Sequence, residues 1–141
     1  IITFFGNKGE VVINTRLLTF DSGFEISGSK NSELLLEYFS IIRKYNLQNL
    51  DLLEIFYKSQ IENNQNRIDS VNGQLENLIK RKYLYSLNFA ITNSSNEISP
   101  YIAVSQIPDA NRDLLKKLYD TLPEKIKSSK YGKVLNNLTE D

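Results

Sequence analysis

Three side chains that carry much of protein chemistry are missing from this sequence, which contains no Cys, no His and no Met. Without Cys there is no thiolate nucleophile, no disulfide and no zinc–thiolate site. Without His the commonest metal ligand and the commonest general base are both gone. What remains are carboxylates, amines and phenols. Acid–base catalysis by carboxylates needs two of them held close in a cleft, whereas Glu33 and Glu37 lie four residues apart on what reads as a solvated helix face. Lys80-Arg81-Lys82 is the compact basic run, and Glu62, Asp69 and Glu76 balance it along the same segment. A solvated face therefore fits it better than a phosphate or nucleic-acid contact. The eight tyrosines mostly stand beside Leu or Ile at helical spacing. That pattern suits half-buried core residues with a wet hydroxyl better than a stacking platform for a ligand. Asn93-Ser94-Ser95 and Asn137-Leu138-Thr139 match the glycosylation pattern, as chance allows in so Asn-rich a chain. The expectation is of no catalytic residue, no cofactor and no metal.

Behind these residues stands a chain of 141 residues, 40% hydrophobic and 24% charged, which suits one folded domain rather than a disordered segment. Lys plus Arg equals Asp plus Glu at 17 each, so no global field draws in nucleic acid. No apolar run approaches the roughly 20 residues needed to cross a bilayer. The sequence opens on Ile1-Ile2-Thr3-Phe4-Phe5 with no initiator Met, which a bulky second residue would retain, so it reads as a piece of a longer product.

The elements that must position these side chains fall into two parts. Residues 1–28 read as β. The stretches 1–5 and 10–14 flank Gly6-Asn7-Lys8-Gly9, a hairpin signal, and 15–20 continues in β-favouring residues. Asp21-Ser22-Gly23 signals a turn, and 24–27 alternates like a half-buried strand. Residues 29–141 read as helical. Ser29 or Asn31 can cap a helix over 32–45, and Asn46 to Asn49 should bend it. From Ile61 an apolar stripe runs at heptad spacing through Ile68, Val71, Leu75, Leu78, Tyr85 and Phe89. Asn63-Asn64-Gln65-Asn66 is a poor helix interior, so a break there, giving two antiparallel helices, is expected. Ser99-Pro100 reads as a helix start, Asp109 or Asn111 as the cap of the next helix, and Ser128-Ser129 as the cap of the last.

Two places together resemble a known family. One is Phe24-Glu25-Ile26-Ser27-Gly28-Ser29 with Asn31 and Leu34-Leu35. The other is Ser99-Pro100-Tyr101-Ile102-Ala103 followed by Ser129-Lys130-Tyr131-Gly132-Lys133. They are similar to the uncharacterised domain that precedes the thioredoxin domain in TlpA-like thiol–disulfide interchange proteins of Bacteroidota. The resemblance implies a truncated N-terminal β-sandwich, then helices, then a redox domain beyond Asp141, in an exported and lipid-anchored protein of the cell envelope or periplasm. It carries over no catalytic residue. Gly28, Ser29, Ser129, Tyr131, Gly132 and Lys133 are its structural motif. Physically, Ser129 is placed to cap, Gly132 to let helices approach, and Tyr131 to bury its ring and hydrogen-bond at its tip.

The expected fold is thus α+β: a small antiparallel sheet over about 1–28, then a helical region with a long helix or helix pair. The expected function is that of a non-catalytic accessory domain, serving to position a thioredoxin-like domain of the same polypeptide, to dimerise or to bind a partner. The stripe residues Ile68, Val71, Leu75 and Leu78 are expected to be buried within this chain, chiefly against the helix that starts near Ser32; the alternative is a free-standing helical interaction module whose stripe from Ile61 to Phe89 pairs with another chain. Neither reading includes nucleic acid or a membrane span.

Overall fold

The computed structural model describes residues 3–6, 10–15 and 25–140. The chain is α+β and mostly helical, with two short strands followed by six helices among the described residues. Strands β1 (Val12–Asn14) and β2 (Glu25–Ser27) pair antiparallel, with Ile13 opposite Ile26. Ile26 points inward and is buried, while its neighbours Glu25 and Ser27 are exposed. That is the period-two alternation expected of a strand lying on a core.

The expected hairpin between 1–5 and 10–14 is corrected. The partner of Val12–Asn14 is Glu25–Ser27, and residues 3–6 form no strand. Phe5 instead gives its backbone to a helix, its N–H donating to Ser32 Oγ at 3.0 Å and its carbonyl accepting from the same hydroxyl at 3.3 Å. A side chain thereby replaces the neighbouring strand as partner for these backbone groups. The strand expected over 15–20 and the turn at 21–23 lie outside the described residues, apart from Thr15.

Helix α1 (Lys30–Ile61) starts where Gly28, at φ +88°, turns the chain out of β2. A Cβ at Gly28 would stand 2.2 Å from the Glu10 carbonyl oxygen, so both conformation and space require glycine. Ser29 then caps α1 by accepting from Ser32 N–H at 3.3 Å. Asn31 serves a different helix. Its Oδ1 accepts from the N–H of Ile98, 67 residues away, and satisfies the start of α3 (Ile98–Gln106). The first turn of α1 is therefore a junction, tied to the N-terminal segment through Ser32 and to α3 through Asn31.

The helix is not interrupted at 46–49. α1 runs unbroken for 32 residues, about 48 Å at the helical rise. Asn46, expected to compete for the backbone, instead accepts from Lys82 Nζ of α2 (Gln65–Thr92) at 3.0 Å. The break comes at 62–64, as the Asn-rich run predicts. Asn63 takes φ +52°, a left-handed conformation that Asn tolerates, and Asn64 Oδ1 accepts from Arg67 N–H to open α2.

Three further helices and a single turn complete the chain. α4 (Arg112–Thr121) is capped by Asn111, whose Oδ1 accepts from Asp113 N–H at 2.8 Å. The turn α5 (Glu124–Lys127) leads into α6 (Lys130–Glu140). Ser99 does not cap α3. That helix begins one residue earlier, and the Ser99 hydroxyl is buried without a hydrogen-bond partner among the described residues. Pro100 still falls in the first turn, where its missing N–H has no helical acceptor to lose.

The main core lies where the first half of α1 and the last half of α2 meet α3 to α6. Leu35, Tyr38, Ile98, Ile102, Leu115, Leu118 and Leu135 are almost completely buried there. Residues 46–82 contribute nothing to that cluster. Over that length α1 and α2 form an antiparallel arm, with a small cluster of its own in which Leu52 packs against Val71 and Leu78. No described helix is long and apolar enough to cross a membrane.

Candidate interaction surface

The motif residues other than Lys133 are linked to one aromatic corner of the body. Ser129 caps α6, its Oγ accepting from Gly132 N–H at 3.2 Å and donating to the Ile126 carbonyl at 2.7 Å. A Cβ at Gly132 would lie 2.2 Å from Ile126 O and 2.5 Å from Lys127 O, so α6 crosses the α5 backbone at a distance only glycine permits. Tyr131 meets Tyr101 edge-on, ring centroids 5.0 Å apart, and Phe5 at 6.3 Å. Since Phe5 is held by Ser32, the junction that Gly28 and Ser29 open meets Tyr131 through that ring. Tyr131 is half-buried, and its hydroxyl, expected to hydrogen-bond, makes no hydrogen bond among the described residues. Lys133 is exposed and joins none of these contacts.

A cleft of about 380 Å³ opens at this corner, lined by Phe4, Phe5, Leu35, Glu97, Tyr101, Lys130 and Tyr131. Its rings are spent on one another in edge-to-face packing, and Lys130 Nζ stands 5.5 Å from the Tyr131 centroid. A second cleft of about 330 Å³ lies between α2 and the loop before α4, lined by Lys82, Ser86, Gln106 and Asp109 among others. Ser86 accepts or donates at 2.7 Å with the buried Tyr38 hydroxyl and donates to the Lys82 carbonyl at 3.0 Å. Burial pushes the Tyr38 phenol above its ordinary value, with the Ser86 bond opposing. Tyr85, stacked on Tyr38, is pushed up to about 12 by burial and then by the nearby charge of Glu37. Both are therefore neutral at ordinary pH. Among the described residues no cluster of acidic side chains is placed to hold a metal ion.

The arm carries a different feature. The stripe expected to pack within this chain does so, and the alternative that set it against another chain is not met: Val71 and Leu78 are buried and Leu75 half-buried against the α1 residues Leu52, Ile55 and Phe56, and Ile68 is half-buried as well. Ile61 does not belong to it. The chain reverses after Ile61, which is 81% exposed. It closes another stripe instead, on the back of α1, made of Leu47, Leu50, Tyr57 and Ile61 with Glu54 in the middle. These positions stand two and five residues from Leu52 or, for Ile61, two from Ser59. At 3.6 residues per turn that is the side opposite α2. Leu47, Leu50 and Tyr57 are 54%, 61% and 59% exposed. At the same heptad positions nearer the body stand Ser40 and Arg43, both exposed, so the apolar run begins where the arm begins.

Sequence reasoning missed this stripe although its spacing of three and four was readable. The segment 34–61 carries apolar residues on every side, and periodicity alone does not say which side meets α2. Glu54 and Lys58, i to i+4, form an ion pair on its surface, and that hydrogen bond holds the Glu54 carboxyl below its ordinary range. No protein-family model, curated protein or solved structure gives a match to this chain.

Proposed function

We propose that this chain is a non-catalytic interaction module, in which the helical body is a base and the α1–α2 arm is the contact element. The observation that carries this reading is the stripe Leu47, Leu50, Tyr57 and Ile61, four large apolar side chains exposed in register on one helix face. Large exposed apolar residues scattered singly need no explanation, but four of them in one row, broken only by Glu54, mark a surface that is covered in use. The arm also reaches well away from the main core, as a contact element must.

In the setting implied by the resemblance to the TlpA-associated domain, the module is the accessory domain of an exported thioredoxin-like protein of the cell envelope. Its body then adjoins the redox domain and its arm governs dimerisation or partner choice. Such a chain performs no thiol–disulfide exchange by itself, because a mixed disulfide needs a thiolate to form it. The neighbouring coding sequence tests the setting. A Cys-x-x-Cys within about a hundred residues after Asp141, one domain length, supports it, and a gene without one removes it.

The arm is tested in the full-length protein by the double substitution Leu50→Glu and Tyr57→Glu. Loss of a native complex, or altered insulin reduction relative to the unsubstituted protein, with melting temperature kept, supports the interaction role. Unchanged assembly and unchanged activity overturn it.

A further inference from the structure

We infer that the back of the arm pairs with the same surface of a second copy of this chain, the two α1 helices running antiparallel about a two-fold axis beside Glu54 and Tyr57. This rests on the interaction-module reading and names its partner.

Leu47, Leu50, Glu54, Tyr57 and Ile61 follow one another at intervals of three, four, three and four, the seam of a coiled coil. Residues just outside such a seam decide which helix it accepts and in which direction. Here the charged flanks are Asp51 and Lys58, each following a seam residue by one and each exposed. They lie on the same edge, one heptad apart. In a parallel pair that edge would face the other one, occupied by Asn46, Leu53 and Gln60, so Asp51 and Lys58 would find no partner on the second copy and Lys58 would keep only its own Glu54. In an antiparallel pair like edges face each other. Asp51 then meets Lys58 of the second copy, and Lys58 meets Asp51 of the second copy. One sequence thus supplies both halves of two ion pairs, the self-complementarity a two-fold interface requires.

The seam residues agree with that direction. Turning the second helix end over end sets Ile61 across from Leu50, apolar on apolar. It sets Tyr57 across from Glu54, a phenol donor against a carboxylate acceptor. The two-fold repeats this contact, and two such polar layers in an apolar seam fix register at some cost in stability. Surface area agrees as well. Covering these side chains and their flanks on both copies removes on the order of 1,000 Å² from water, the lower edge of a specific interface. Of the outward positions of α2 along the arm, Asp69, Asn72 and Glu76 are polar and Ile79 is apolar and 64% exposed, so the longer apolar seam belongs to α1.

Sedimentation equilibrium over about 1 μM to about 1 mM tests the pairing, a range suited to an interface of this size. The intact chain is expected to dimerise within it. Asp51→Lys and Lys58→Asp are each expected to weaken dimerisation tenfold or more, since each sets like charges together twice. An equimolar mixture of these two variants is expected to recover it as a heterodimer, because both ion pairs then reform. Circular dichroism confirms that each variant keeps its helices. The neutral variant Asp51→Asn, expected to weaken dimerisation by less than the reversal does, serves if either reversal unfolds. A chain that stays monomeric at 1 mM overturns the inference, as does a dimer that the mixture does not restore. Monomeric behaviour combined with loss of a native complex in the Leu50→Glu, Tyr57→Glu protein would leave the interaction role standing and assign the stripe to a different protein.

Discussion

Up to Tyr45 and beyond it, α1 is equally helical, yet its two halves are held by different means. In the body, Leu34, Leu35, Tyr38 and Ile42 are covered by α2 and by the later helices, and polar ties at Asn31 and Ser32 fix the register. In the arm, α1 has one partner. Leu52 is its one fully buried apolar residue, and Ser59, the other buried side chain there, donates to the Ile55 carbonyl of its own helix. The difference is one of coverage rather than propensity. A helix packed on several sides becomes part of a core, while a helix packed on one side keeps a face for something else. Isolated helices are marginal in water, so an arm of this kind depends on the narrow seam between its two members.

The largest effect is expected at Gly132. Replacing it with Leu drives a side chain into the Ile126 and Lys127 carbonyls and is expected to cost about 3 kcal/mol or more, read by denaturant unfolding. A loss under about 1 kcal/mol would mean that α6 can lift from α5 freely and that the body is looser than its geometry implies.

Next come matched truncations in the two regions. Leu35→Ala in the body is expected to cost about 3–5 kcal/mol, and Leu78→Ala in the arm about 2–3 kcal/mol, since the arm can close partly over the gap. Hydrogen exchange sharpens the contrast. Amides of 52–60 and 66–78 are expected to exchange through local opening, well before those of 34–42 and 85–90. Equal protection in both regions would mean that the arm is as firmly held as the body.

Tyr38→Phe removes the bond to Ser86 but leaves Ser86 its Lys82 carbonyl, so about 1 kcal/mol is expected to be lost, measured by thermal or denaturant unfolding. The pH dependence follows from the same cluster. For Tyr38 and Tyr85 the folded phenol titrates above its unfolded value near 10, so the unfolded chain binds fewer protons once pH passes that value. Stability from these groups is complete below about pH 10 and declines as pH rises toward about 12. A Tyr85→Phe variant is expected to show a shallower alkaline decline.

Gly73 is exposed on the arm, with nothing within 4 Å of an added Cβ, so Gly73→Ala is expected to stabilise by about 0.5–1 kcal/mol. Smallest of all is Leu50→Glu in the monomer, within about 0.5 kcal/mol, because that side chain is 61% exposed and joins neither apolar cluster of its own chain. A larger loss would place Leu50 in an intramolecular contact and remove the free face on which the functional reading depends.

The residues by themselves determined what is local. The Asn-rich run at 63–66 ended one long helix, because Asn both tolerates the left-handed turn and caps the helix that follows. Ser29, Asn111 and Ser129 were legible as caps, and Gly132 as a point of close approach, since each role requires a particular side chain within a few residues. Tertiary structure decided whatever needed a distant partner. Asn31 caps α3 rather than its own helix, Asn46 binds Lys82 instead of interrupting α1, and Phe5 pairs with a side chain in place of a strand. It also chose which face of α1 is buried. With apolar residues on opposite sides of that helix, periodicity offers two seams of similar quality. Only the position of α2, set by the turn at 62–64 and by the body beyond it, turns one seam inward and leaves the other in water.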